Sequence, residues 1–131
     1  ISYYIGRAYA TKLLSLKKNK MIVGYDNRLS SPIIEKNLVK GLTDGGVDVV
    51  RLGLVTTPMY YYAWNKLNIH CGIMITASHN PKEYNGFKMS YNGIHNCFGN
   101  EVAELYYIIL NGIYSKGNGS ITDANIKRRL Y

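Results

Sequence analysis

Carboxylates, cysteines and long apolar runs are all scarce in these 131 residues. No stretch approaches the ~18 to 20 consecutive apolar residues that a membrane-spanning helix needs, so no membrane partner is expected. Residues 1–7 lack the basic start and apolar centre of a secretory signal. They also lack an initiator Met, and the expectation is an excised piece of a longer protein. The only cysteines, Cys71 and Cys97, form no Cys-x-x-Cys pair. That excludes a disulfide framework and fits a cytoplasmic origin. With His70, His79 and His95 they show no recognised zinc spacing. Eight acidic residues stand against 16 basic ones, a formal charge of +8. Such a field favours anionic partners, whether sugar phosphates, nucleic acid or acidic protein surfaces, although many of the lysines also suit solvated helix faces. Glu83 is the sole carboxylate between Asp48 and Glu101, so no acidic cluster is available there to bind Mg²⁺ tightly.

The patterning is that of a packed α/β domain. Ile5, Ala8, Tyr9, Leu13 and Leu16 recur at helical spacing and predict a helix over 2–16. Lys17, Lys18 and Lys20 suit its negative end, with Asn19 as the stop. A buried strand is expected over 21–25. Ser31 as cap and Pro32 at the first turn open a second helix running over 33–44, with Ile34, Leu38 and Leu42 inward. Gly45-Gly46 ends it. A strand over 47–52 follows, and Thr57-Pro58 repeats the cap-and-proline start. Tyr60, Ala63, Trp64 and Leu67 mark a third helix that stops at Asn68. Asn100 caps a fourth over 101–110, with Val102, Leu105, Tyr106 and Ile109 inward.

Strand and helix thus alternate from 21 to 76. Short connections and right-handed crossovers then predict an α/β fold, with a mainly parallel sheet and helices on both faces. The Asn85-Gly86 turn adds an antiparallel strand at one edge. Residues 115–120 are rich in Gly, Asn and Ser and read as a flexible loop. Residues 121–131 read as a surface segment or interdomain linker. The chain is therefore a single domain over 1–131, with a core over 1–114 and a loop and linker over 115–131.

The chemistry centres on residues 72–90. The segment 72–76 is short, apolar and uncharged, as in a strand buried on both faces. At Ala77 it becomes small and polar, and Ser78-His79-Asn80-Pro81 cannot continue the strand, because Pro81 lacks an N–H and biases Asn80 toward a turn. Ser78 is thereby presented on a loop at the carboxyl end of a buried strand, where open α/β sheets bind ligands. Lys82 and Lys88 flank it. Read alone, a serine in such a turn is an ordinary local hydrogen bonder.

The longer motif alters that reading. Thr76-Ala77-Ser78-His79-Asn80-Pro81 followed by Tyr84-Asn85-Gly86-Phe87-Lys88 resembles the phosphoserine loop of the α-D-phosphohexomutases. Tyr-Asn-Gly-Phe-Lys is more similar to the bacterial phosphomannomutase/phosphoglucomutase branch than to the phosphoglucosamine mutases. Val23-Gly24-Tyr25-Asp26-Asn27-Arg28 with Ser30-Ser31, and the stretch 53–58, resemble further parts of the same family's first domain. The resemblance implies that Ser78 carries a phosphoryl group, gives it to a hexose phosphate and takes one back from the other end of the sugar. It implies Mg²⁺, held in part by the Ser78 phosphate, and glucose 1,6-bisphosphate as activator. The metal, sugar and phosphate loops would lie on later domains of the same polypeptide, which leaves this portion inactive alone.

Each candidate residue has a bland alternative. A serine hydroxyl is a weak nucleophile unless a base activates it or it reacts already phosphorylated. His79 is badly placed to serve as that base, since neighbours in an extended segment point apart, and no Gly-x-Ser-x-Gly elbow is present. By resemblance His79 orients the loop or contacts phosphate, with a structural role as the alternative. Lys88 alone is an edge-strand lysine that discourages aggregation. The family match implies that it stabilises transferred charge or shuttles a proton, the latter favoured by burial beside other cations. Arg28 and Asn80 are the implied phosphate contacts, with an ion pair between Arg28 and Asp26 equally open. The rival class is a non-catalytic basic module for nucleic acid or protein. Its tyrosine-stacking signal is weak, because Tyr9, Tyr60 and Tyr106 fall on core-facing stripes, so no nucleic-acid partner is expected.

Overall fold

The computed structural model describes residues 1–26, 31–76, 86–93 and 100–124. Helix α1 (Ser2–Ser15) buries Ile5, Ala8, Tyr9 and Leu13, the stripe its spacing predicts. Leu16 is exposed and caps the helix instead of extending the stripe. The stop is a Schellman turn one residue on. Lys17 takes the left-handed conformation (φ 63°), its amide donates to the Leu14 carbonyl (2.9 Å), and the Lys18 amide donates to that of Leu13 (3.2 Å). Asn19, the expected stop, lies beyond it.

Strand β1 (Lys20–Tyr25) leads toward helix α2 (Ser31–Asp44), which buries Leu38 and Leu42 and ends in a second such turn on Gly46 (φ 98°). Strand β2 (Asp48–Leu54) precedes helix α3 (Thr57–Leu67). The cap of α3 is Thr56 and not the expected Thr57: the Thr56 Oγ1 accepts from the Met59 amide at 3.3 Å. Asn68 (φ 55°) ends it as expected. Strands β3 (Gly72–Ile75) and β4 (Phe87–Ser90), helix α4 (Asn100–Asn111) and strand β5 (Ile121–Asp123) complete the described elements.

The sheet order is β4-β3-β1-β2-β5. β4 runs antiparallel to β3 at one edge, and the other pairings are parallel. This is the predicted α/β architecture. Alternation along the strands divides the core. Met21, Val23 and Ile73 pack with Leu13 of α1, Leu38 of α2 and Leu105 of α4. Ile22 and Met74 point the other way, into Tyr60 and Trp64 of α3. Helices therefore cover both faces, and each fully buried side chain of this size stabilises the fold by roughly 1.5–3 kcal/mol relative to exposure. Helix α4 departs from expectation at Tyr106, which is exposed, while Ile108 packs against the core.

The Gly-Asn-Ser stretch also differs from a free loop. Gly117 and Gly119 amides donate to the Asp44 and Thr43 carbonyls (3.0 and 2.9 Å), and the Ser115 hydroxyl donates to the Gly45 carbonyl (2.7 Å). A Cβ on Gly119 would collide with the Val47 carbonyl, so glycine is needed there for backbone to lie on backbone. The stretch then delivers β5 to the free edge of β2.

Candidate active site

The carboxyl ends of β1, β2 and β3 lie side by side at one edge of the sheet, because the three strands are parallel. Backbone hydrogen bonds tie the chain together there. The Val55 amide donates to the Tyr25 carbonyl (2.8 Å), and the Asp26 amide to that of Ile75 (3.1 Å). The Thr76 amide donates to the Gly86 carbonyl (2.7 Å), and the Thr76 hydroxyl reaches the same oxygen at 3.3 Å. These bonds bring together the two flanks of residues 77–85 and the residue that precedes 27–30. Ser78, His79, Asn80 and Arg28 themselves lie outside the described residues, as does Lys82.

A bulge shapes this edge. Val23 pairs with Arg51 but Gly24 with Gly53, leaving Leu52 as the extra residue of β2. Gly53 adopts φ 76°, which favours glycine, and turns the end of β2 toward α3. Gly24 leaves room for that crossing, since a Cβ there would lie 2.9 Å from the Val55 Cγ2.

Lys88 is the one predicted site residue that is described. It sits in β4 in register with Met74, between the buried Phe87 and Met89. Alternation puts it on the α3 face of the sheet, where its side chain is exposed. Among the described residues nothing buries the Lys88 side chain.

Three charged residues that sequence reasoning did not single out meet just inside the same edge. Arg51 of β2 grips Asp123 of β5 with two hydrogen bonds, Nε to Oδ1 at 2.6 Å and Nη2 to Oδ2 at 3.0 Å. The Arg51 guanidinium holds the Asp123 carboxyl below the usual carboxylate range. Glu35, on the inner side of α2, places Oε1 4.0 Å from the Arg51 Nη1. Glu35 is only 8% exposed, and burial pushes its carboxyl above the usual range, against the opposing pull of Arg51. A hint was present in the sequence, since Glu35 neighbours the apolar stripe residue Ile34. Among the described residues no group of three or more His, Cys, Asp or Glu could hold a metal ion.

A layered α/β domain with a polar, motif-bearing connection at the carboxyl ends of its parallel strands belongs to the class that binds ligands at that edge. The family profile described as phosphoglucomutase/phosphomannomutase, alpha/beta/alpha domain I, matches residues 1–112. The chain belongs to that family. It is 41% identical over 131 residues to a phosphomannomutase/phosphoglucomutase of Pseudomonas syringae pv. tomato, covering 99% of this chain and 28% of the relative. It is 39% identical over 127 residues to a phosphoglucomutase of Neisseria gonorrhoeae, covering 95% and 27%. Among solved structures, a phosphoglucomutase/phosphomannomutase family protein of Burkholderia thailandensis superposes with a TM-score of 0.85 at 31% identity, covering 98% of this chain and 30% of that one. The chain thus spans less than a third of the length of these relatives.

Proposed function

We propose that this chain is the phosphoserine-bearing first domain of a larger, multi-domain phosphohexomutase that interconverts the 1- and 6-phosphates of glucose or mannose. The observation that carries the reading is the Thr76-to-Pro81 motif in a domain of this family, directly after the buried strand β3. Phosphorylated Ser78 gives its phosphoryl group to the free hydroxyl of a hexose phosphate. The P–O bond to Ser78 breaks, a P–O bond to the sugar forms, and the sugar hydroxyl proton ends on the serine oxygen. The bisphosphorylated sugar turns around and returns the phosphoryl group at its other end to Ser78. Glucose 1,6-bisphosphate serves as the activator that charges the serine.

Such transfer asks the protein mainly for positioning and positive charge. Lys88, exposed on the strand that leaves the loop, supplies charge beside the transferred group. Arg28 and Asn80 contact phosphate, and His79 orients the loop. Mg²⁺, bound through the Ser78 phosphate, would supply charge neutralisation. By the family resemblance, the remaining ligands would come from later domains of the same polypeptide. No described helix is long and apolar enough to cross a membrane. The cytoplasmic placement we propose rests on the cysteine usage, two residues with no Cys-x-x-Cys pair.

The test uses the parent enzyme and its Ser78→Ala variant. The parent should carry phosphate on Ser78 by peptide mapping, and the variant should lose nearly all turnover at an unchanged urea midpoint. Phosphate on a different residue, or near-normal turnover of the variant, overturns the reading. The 131-residue chain alone should not interconvert these sugar phosphates even with Mg²⁺ and the bisphosphate, because the other half of the site is missing.

A further inference from the structure

We infer that β5 is a strap whose grip on the sheet is set by the protonation of Glu35, acting through the guanidinium of Arg51. Apart from the Arg51–Asp123 pair, the strap itself is held by its backbone and not by buried side chains. All three of its side chains are exposed, so it adds almost nothing to the core. Its backbone pairs with β2 from Val49 to Arg51. That pairing is flanked by bonds from the Val49 amide to the Ser120 carbonyl (2.8 Å) and from the Ala124 amide to the Arg51 carbonyl (2.9 Å). The Ser120 amide donates to Asp48 Oδ1 (2.8 Å) at the start of the strap. Upstream the chain is pinned through Ser115, Gly117 and Gly119, so any release of β5 hinges near Ser120.

The side-chain tie is the Arg51–Asp123 fork, and it has a competitor. Asp123 is largely exposed, whereas the Glu35 carboxylate behind Arg51 is buried. Glu35 Oε2 has no hydrogen-bond partner among the described residues, and Oε1 is 4.0 Å from Nη1, too far to bond. A neutral carboxyl tolerates this arrangement. An ionised one in the same place needs a partner, because a buried charge without one is costly. Closing the gap moves the guanidinium inward by about 1 Å, to charge-assisted hydrogen-bond distance. That movement spoils the fork to Asp123, whose two bonds depend on a fixed planar geometry.

Among the described residues, the charged or titratable groups in this cluster are Arg51 on β2 and Asp123 on β5, with Tyr25 of β1 acting on Arg51. Desolvation raises the Glu35 carboxyl, Arg51 opposes it and Asp123 adds to it. The sign follows: a raised acid favours the neutral form in the fold, so the strap is firm on the acid side. It loosens as pH rises from the ordinary glutamate range through the raised value.

Amide hydrogen exchange on the full 131-residue chain tests this, with each rate divided by its intrinsic value at the same pH. Protection of the Ala124 amide should fall severalfold as Glu35 ionises, while the Val47 amide, bonded to Leu42, stays constant. In Glu35→Gln the fall should vanish, and in Asp123→Asn Ala124 should be weakly protected throughout. A carboxyl ¹³C titration of Glu35 in the unaltered chain should share its midpoint with the Ala124 change, which keeps the test open if a variant does not fold. Protection of Ala124 independent of pH, a fall that persists in Glu35→Gln, or two different midpoints overturns the inference.

Discussion

Replacing Gly6 by alanine sets helix propensity against packing with opposite signs. In a helix interior alanine is favoured over glycine by about 1 kcal/mol, so α1 read by itself predicts a gain. The packing predicts a loss. Gly6 lies where α1 crosses α2, and a Cβ built there stands 3.0 Å from the Leu42 amide nitrogen, 3.2 Å from the Gly41 carbonyl carbon, and closer still to the Leu38 carbonyl oxygen. All three atoms are backbone, so no rotamer change can relieve the overlap. The helices must part, and Leu13, Leu38 and Leu42, which are fully buried, lose contact. Overpacking costs roughly 1–3 kcal/mol, and with rigid backbone on both sides the upper end applies; subtracting the propensity gain leaves a net loss of about 2 kcal/mol. At this chain length that is a fall of roughly 6–10 °C in Tm. Urea unfolding followed by Trp64 fluorescence should show a lower midpoint at unchanged slope. A midpoint equal to or above that of the parent chain would refute the packing argument. Gly41→Ala, whose Cβ would strike the Tyr3 carbonyl, should behave alike.

In the parent enzyme, Lys88→Ala should depress turnover by ~10²-fold or more if its charge is placed beside the transferred group, while Lys82→Ala costs little. Equal losses would mean that generic charge suffices. The Cys71 thiol is buried, donates to the Lys20 carbonyl at 3.1 Å, and is pushed up to about 11 by burial, with Lys18 pulling weakly the other way. In a Cys97→Ala background it should resist a disulfide reagent at about pH 8 until urea unfolds the chain, since the thiolate is the reactive form. Rapid native labelling would contradict that burial.

Much of this domain was legible because the deciding information is local. The spacing of Ile5, Ala8, Tyr9 and Leu13 specifies a helix face within three turns. The apolar run 72–75 followed by Ser78 to Pro81 specifies where a buried strand must stop. Asn85-Gly86 announces an antiparallel return strand, and β4 is that strand, on the edge. The serine motif itself is a property of the linear sequence, and it pointed to the family before any contact was known.

What remained depends on which distant backbone passes by. Nothing near Lys17 says that a lysine will take the left-handed turn; the helix ends there because the strand after it must enter the sheet at Lys20. Tyr106 and Ile108 both fit an apolar stripe, and only the position of α1 and β4 decides which one is covered. The glycines at 117 and 119 look the same in a loose loop as in a segment lying against the end of α2. Their purpose emerges only with Asp44 and Val47 beside them. Glu35, Arg51 and Asp123 are far apart in the sequence and polar in composition. The parallel register of β2 and β5 places Arg51 opposite Asp123, and α2 lying over that pair buries the third charge. Local chemistry chooses the elements, and long-range register decides which charges must share a partner.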